Sequence, residues 1–302
     1  MPDIDFKTEK NIIIKVRRHN RMNSKFTFGW VTVYTVMILL LLFMALPLVM
    51  IFMTSLKPIE ELLIFPPRVY VLKPSLNNFS NLISLLGDSE IPATRFIFNS
   101  VLVTAFSVFG TIWVSCMGAY AIEKIKMPGH KFIFRIVVWG LMFSPIAAQI
   151  PNYLIVKNLG LYNTYWALIL PGIVIPMHLF LIKQFTIQIP DSIIESARID
   201  GCSEFTVLSK IMMPMLRPAW TTVLVFAFFN SWNGTNGAIV YVKDQAMKTF
   251  PYFLSSISGM SGIARMGEGM AAAALMITPT LVVYLIMQKK VIDTMAYAGI
   301  KG

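Results

Sequence analysis

The side chains best suited to chemistry in this sequence are amides and hydroxyls, and what they can do is hydrogen-bond rather than make or break covalent bonds. The densest group is Asn230-Ser231-Trp232-Asn233-Gly234-Thr235-Asn236-Gly237. On a continuous helix, at about 100° per residue, Asn230, Asn233, Gly234 and Gly237 share one face. Amides withdrawn from water need partners. A sugar, whose hydroxyls both donate and accept, matches them, and the glycines leave room for it. The alternative use is hydrogen bonding between helices with close backbone packing. Trp232 points to the other side of that wheel, and the shared face exists only if the glycines leave the helix unbroken.

Ser100, Thr104, Ser107, Thr111 and Ser115 recur every three or four residues. Small hydroxyl residues at that spacing read as a packing seam between helices rather than a pathway. His178, isolated among apolar residues, reads as a hydrogen-bonded structural group. Nothing in the chain assembles a catalytic triad, a pair of membrane-embedded acids or a metal cluster, so no catalytic residue, metal or cofactor is assigned. No G-x-x-x-x-G-K-[ST] phosphate loop is present, so the polypeptide is not expected to hydrolyse ATP itself.

The elements that position these residues belong in lipid. The chain is 56% hydrophobic and 14% charged, with a mean hydropathy of +0.67; a soluble domain carries roughly 25% charged residues. A spanning helix needs about 20 mostly apolar residues. Six segments qualify: Trp30–Met53, Phe96–Ile122, Phe132–Ile150, Tyr165–Ile182, Ala219–Tyr241 and Ala271–Met287. The expected fold is all-α, a polytopic bundle of six transmembrane helices, with Pro145, Pro171 and Pro176 kinking the third and fourth. No Asp or Glu lies within the six segments. Ionisable groups at mid-membrane mark proton and ion relays, so their absence argues that the energy source lies outside this chain. No short apolar core with a cleavage site precedes the first span, so no removable signal peptide is expected. Cys116 and Cys202 make no disulfide framework.

The formal net charge of +11 would suggest nucleic acid in a soluble protein. Here the basic residues flank hydrophobic segments and read as orientation signals. Eighteen of the 26 lysines and arginines fall in the N-terminal tail, the second and fourth loops and the C-terminal tail, which puts both termini in the cytoplasm. Residues 1–29 form a basic cytoplasmic tail that either lies against anionic headgroups or binds a specific partner; residues 30–302 form the membrane domain.

The cytoplasmic loop 183–218 carries structure of its own. Ser192 and Glu195 have the spacing of a capping box. Ile193, Ile194 and Ala197 form an apolar face, opposite Glu195, Arg198 and Asp200. Gly201 suits a left-handed helix stop, and a second short helix beginning at Ser203 sets Phe205, Leu208 and Ile211 on one side until Pro214 ends it. Two amphipathic helices hinged at a glycine can insert into a groove of another protein or fold back on their own bundle.

The run Glu195-Ser196-Ala197-Arg198-Ile199-Asp200-Gly201, with Phe205 and Ile211-Met212-Met213-Pro214, resembles the EAA signature of ABC importer permeases. Ser196 stands in place of the first alanine and Met213 in place of the leucine before proline. Thr54-Ser55-Leu56-Lys57-Pro58, Asn99-Ser100, Ala119-Tyr120-Ala121, Met127-Pro128-Gly129, Ser231-Trp232-Asn233 and the ending Gly299-Ile300-Lys301-Gly302 are similar to the maltose-permease branch. The resemblance implies a type I importer bundle in a bacterial plasma membrane. It also implies partners: a second homologous permease, two ATP-binding subunits, an external substrate-binding protein and an oligosaccharide. Glu195, Ala197, Arg198, Asp200, Gly201, Phe205 and Lys210 would couple to the ATPases, and Asn230, Asn233, Gly234 and Gly237 would line the path. The outer segments Lys57–Arg95 and Lys243–Met270, the latter with Gly259, Gly262, Gly267 and Gly269, would meet the binding protein or serve as flexible connections. The other classes open to such a chain are a transporter or channel acting alone and a membrane enzyme.

Overall fold

The structure, a computed structural model, describes residues 28–66, 68–87, 91–258 and 265–299. The basic tail and the glycines at 259 and 262 fall outside them, as do the last three residues. Every regular element among the described residues is helical. The chain divides into two units, Met1–Met50 and Ile51–Gly302. The described part of the first is the apolar body of helix α1 (Phe28–Ser55).

In the second unit α2 (Ile59–Leu62) and α3 (Asn77–Gly87) lead to α4 (Ala93–Tyr120), extended by a π-helical turn over Ala121–Ile125. Then come α5 (His130–Gly140), α6 (Gln149–Asn158), α7 (Tyr165–Ile173), α8 (Pro176–Thr186) and α9 (Asp191–Ile199). Next is α10 (Glu204–Met215), π-helical over Val207–Met212. The chain ends in α11 (Arg217–Asn233), α12 (Asn236–Val240), α13 (Phe250–Ser258) and α14 (Met266–Gly299).

Among the described residues three helical stretches are long and apolar enough to cross a membrane: Trp30–Ser55, Thr94–Ile125 and Met266–Lys289. Counting each of two bent pairs as a single span would raise the number to five, short of the six expected. One is α7 with α8, bent by 42° where Pro176 restarts the helix; the other is α10 with α11, bent by 82°. The expected third span, Phe132–Ile150, is divided between α5 and α6. Residues 141–148, with Pro145, form turns between them, because proline removes a donor and clashes with the preceding turn. The expected fifth span divides likewise, at Gly234.

α4 is the central post, packed against α7, α8, α11 and α13. Small residues let neighbours approach it closely: a Cβ at Gly110 would sit 2.6 Å from Ile173 Cδ1, and one at Gly118 2.5 Å from Leu179 Cδ1. Two apolar clusters lie toward its opposite ends. One joins Phe96 to Leu82, Phe250, Leu254, Ala271 and Ala272. The other joins Cys116, Ala119 and Tyr120 to Ile182, Ile194, Val207, Met212 and Leu216. Phe96 and Tyr120 are about 36 Å apart along the axis, at 1.5 Å per residue.

At the Phe96 end Asn99, fully buried, works as a clamp. Its Nδ2 donates to the carbonyls of Ala246 and Lys248, both at 2.8 Å, and its Oδ1 accepts from Tyr165 Oη at 2.8 Å. Ser100 Oγ accepts the Phe250 N–H at 2.7 Å. The Thr54–Pro58 stretch is likewise a buried corner: Asn78 Nδ2 donates to the Ser55 and Lys57 carbonyls, and Lys57 Nζ donates to the Arg68 carbonyl.

Candidate functional site

The loop 183–218 folds as a knob at the Tyr120 end of α4. Its first helix starts at Asp191 with Pro190 as cap, and no side chain caps it, so the Ser192–Glu195 capping box does not form. Asp191 Oδ1 instead accepts Lys124 Nζ at 2.6 Å and its Oδ2 accepts Lys126 Nζ at 3.3 Å. Lys124, nearly buried, also donates to the Ile189 carbonyl at 2.5 Å. The Lys124 and Lys126 ammonium groups hold the Asp191 carboxyl below the usual carboxylate range. Beside it Lys183 pairs with Glu123 at 3.1 Å and lies 4.1 Å over the Phe134 ring.

Gly201 ends α9 with φ +79°, a conformation that costs an L-residue strain. Cys202 N–H donates to the Ala197 carbonyl and Gly201 N–H to the Arg198 carbonyl, both at 3.0 Å, the pair of bonds that closes a Schellman turn. Ser203 then caps α10 by accepting the Thr206 N–H at 3.3 Å.

Across that turn Arg198 reaches Glu204: Nε to Oε1 at 2.7 Å and Nη2 to Oε2 at 3.2 Å. Tyr120 Oη donates to the same Oε2 at 2.5 Å. The Arg198 guanidinium, and after it the Tyr120 hydroxyl, hold the Glu204 carboxyl below its ordinary value. Glu204 is therefore the buckle between knob and post.

The inner face of the loop packs on its own bundle. Ile194, Ala197, Val207, Leu208 and Met212 pack into the bundle. The expected Phe205-Leu208-Ile211 face is displaced, because the π turn pairs residues five apart and rotates the register. Ile199 and Phe205 are left 86% and 62% exposed, with Phe205 tilted against Trp113 at 5.8 Å. Of the seven coupling candidates, Ala197 is buried; Glu195, Arg198, Asp200, Gly201, Phe205 and Lys210 are exposed. Glu204 and Tyr120 join them through the Arg198 contact, and exposed Ile199 lies between Arg198 and Asp200. An opposite charge six residues from Arg198, across a glycine turn, is the one sequence signal for Glu204.

The second candidate site is a cavity of about 460 Å³ between α4, α7 and the end of α11. Asn230, Asn233, Gly234 and Gly237 all line it. They do not share a helix face: α11 stops at Asn233, Gly234 is extended, and α12 begins at Asn236. A Cβ on Gly234 would lie 2.9 Å from the Asn230 carbonyl oxygen, which explains a glycine at the break. Asn233 Nδ2 donates to the Phe229 carbonyl at 2.9 Å. Trp232 faces away, its Nε1 donating to the Met276 carbonyl on α14 at 3.0 Å. The hydroxyl series on α4 is buried throughout, and Ser107 reaches the cavity. His178 is buried, and its Nδ1 makes no hydrogen bond. Among the described residues no group of His, Cys, Asp and Glu could hold a metal ion.

Residues 22–296 match the family described as binding-protein-dependent transport system inner membrane component. Similar proteins include the polygalacturonan/rhamnogalacturonan transport system permease protein of Bacillus subtilis, 31% identical over 89% of this chain and 97% of that one. The arabinooligosaccharides transport system permease protein of the same organism is 28% identical over 94% and 99%. Among solved structures, a chain of a bacterial ABC transporter involved in the import of the acidic polysaccharide alginate aligns with a TM-score of 0.75. That alignment covers 88% of this chain and 97% of that one at 20% identity, a likeness of fold. With a family match over nearly its whole length and apolar helices able to cross a bilayer, this chain is a membrane permease of the family of binding-protein-dependent transport system inner membrane components.

Proposed function

We propose that this chain forms half of the translocation path of an ATP-driven oligosaccharide importer, and that the knob couples that path to partner ATPases. The observation that carries the reading is the double duty of α4. Its Tyr120 end is buckled to the knob through Glu204, and Ser107, about 20 Å along the same axis, walls the cavity. A displacement of the knob thus reaches the cavity through one rigid element. Ile199 and Phe205 add an exposed apolar tip, flanked by Glu195, Asp200 and Lys210, of the kind that seats in a partner's groove. The substrates named for the two relatives support an oligosaccharide cargo.

In this reading the knob and both termini lie in the cytoplasm of a bacterium, with residues 1–29 a basic tail and 30–302 the permease domain. A second homologous permease completes the path, and two ATP-binding subunits beneath it hydrolyse the ATP. An external binding protein delivers the sugar, in keeping with the family's dependence on binding proteins. ATP binding draws the two knobs together and rocks the bundles from inward-open to outward-open.

Two measurements test this. A Cβ at Gly201 meets nothing within 4 Å, so Gly201→Ala acts through the strained φ. In the assembled complex it should lower ATP hydrolysis stimulated by sugar-loaded binding protein roughly tenfold. Unaltered stimulation counts against the coupling role. In a Cys202→Ser background, Asp200→Cys should react with an impermeant thiol reagent in inverted vesicles only; labelling from outside intact cells sinks the orientation.

A further inference from the structure

Two buried polar atoms of residues that line the cavity have no partner in the protein. Ser107 Oγ on α4 and Thr249 Oγ1, just before α13, both belong to its lining, are in residues 3% and 5% exposed, and make no hydrogen bond. Leaving a buried hydroxyl unsatisfied costs about 1–3 kcal/mol, so folded proteins keep few. Other members of the same hydroxyl series are satisfied: Ser100 Oγ accepts the Phe250 N–H, and Thr111 Oγ1 donates to the Gly172 carbonyl at 3.3 Å. Ser107 is left without a partner where the helix passes the cavity. Thr249 is fixed there by the Asn99 clamp, which grips the carbonyls of Ala246 and Lys248 just before it.

The rest of the polar wall is of one kind, the amides of Asn230, Asn233 and Asn236 and the hydroxyls of Ser231 and Thr235, with the Tyr241 ring beside them. No Asp, Glu, Lys, Arg or His is among the described residues that line it. A volume of about 460 Å³ falls within the range of small-molecule sites, roughly 300–1,000 Å³. Hydroxyls and amides both donate and accept, as sugar hydroxyls do. A carboxylate entering here would meet no cation on this wall, and an unpaired buried charge is far more costly than a hydroxyl.

We infer that this cavity is a subsite for an uncharged sugar unit, contacted directly by the Ser107 and Thr249 hydroxyls, and that it disfavours uronates. The inference rests on the oligosaccharide reading above and narrows it: the cargo class is a neutral glycan, unlike the polygalacturonan named for one relative.

The test uses the complete importer, with partner permease, ATPases and binding protein, in proteoliposomes. The probes are trisaccharides of glucose, arabinose, xylose and mannose, set against galacturonate and mannuronate trimers. Neutral sugars should be taken up and uronates should not. Ser107→Ala and Thr249→Val should each lower the maximal uptake rate roughly two- to tenfold, the size of one lost hydrogen bond. Both variants remove an unpartnered buried hydroxyl, so the thermal unfolding midpoint of the complex should hold or rise. Thr280, whose Oγ1 is also buried and unpartnered but which lines a separate cleft against α11, is the control: Thr280→Val should leave uptake unchanged. Uronate uptake as fast as neutral uptake overturns the substrate class. Full uptake by both cavity variants, or loss of uptake matched by a lower midpoint, overturns the hydroxyl contacts. Uptake of no oligosaccharide of either class, with the complex intact, removes the importer reading itself.

Discussion

The knob and the cavity are both assembled from short helical pieces around a glycine, yet they are held in opposite ways. At the knob, charge does the holding: Arg198 to Glu204, Lys124 to Asp191 and Lys183 to Glu123. Its turn is closed by its own backbone bonds. At the cavity no ion pair takes part among the described lining residues; the polar lining is amides and hydroxyls, and two of the hydroxyls have no partner. The first region is closed by its own contacts; the second keeps polar groups without partners. Ionic restraint sits where force would enter, and spare hydrogen-bonding capacity sits where cargo would pass.

The sharpest way to break this contrast is at the helix break beside the cavity. Gly234→Val would drive its Cβ into the Asn230 carbonyl and reopen the end of α11. Uptake by the assembled importer should fall by more than roughly tenfold, read as initial rate in proteoliposomes. A near-normal rate would mean that the break is incidental.

The buckle comes next. Glu204→Gln keeps the shape but removes the charge that Arg198 and Tyr120 both address. Sugar transported per ATP hydrolysed should fall by about threefold to tenfold, since hydrogen bonds to a charged group contribute about 1.5–3 kcal/mol before solvent screening. An unchanged ratio would show that the knob transmits motion by packing alone.

Smaller effects belong to Asp191 and to pH. Lys124→Met leaves the Ile189 carbonyl without its partner and should destabilise the complex by about 1–2 kcal/mol, seen in the unfolding midpoint. Glu204 and Asp191 both have lowered folded-state pKa values, so each stabilises the fold fully above its unfolded value, 4.5 for Glu204 and 3.8 for Asp191. That contribution is lost as the pH falls through the lowered folded value. The midpoint should therefore be insensitive to these groups from neutrality to about pH 5 and decline below pH 4, with a shallower decline in Glu204→Gln.

How much of this was legible in the sequence depends on range. The Gly201 turn and the Ser203 start of α10 are local: a left-handed φ and a capping hydroxyl leave their mark in adjacent residues. The partners of Asp191 lie 65 and 67 residues away, and that pairing displaced the local capping box. The apolar face of α10 departs from the one its spacing predicts because a π turn changes the period on which such faces are counted. At the cavity the four residues expected to line the path come together although the helical wheel that groups them does not exist; proximity around one glycine is enough. Ser107 reads as packing because its spacing is that of a seam. Thr249 carries no signal, since it reaches the cavity through a clamp 150 residues upstream at Asn99. The third span lost its continuity to Pro145, where the sequence predicts only a kink.

The 82° corner between α10 and α11 has a mechanical meaning. It is the geometry of a bell crank: a stroke applied along one arm is delivered nearly at right angles on the other. The first arm begins at Ser203, beside the tip of the knob, and the second ends at Asn233, on the wall that a passing sugar would touch.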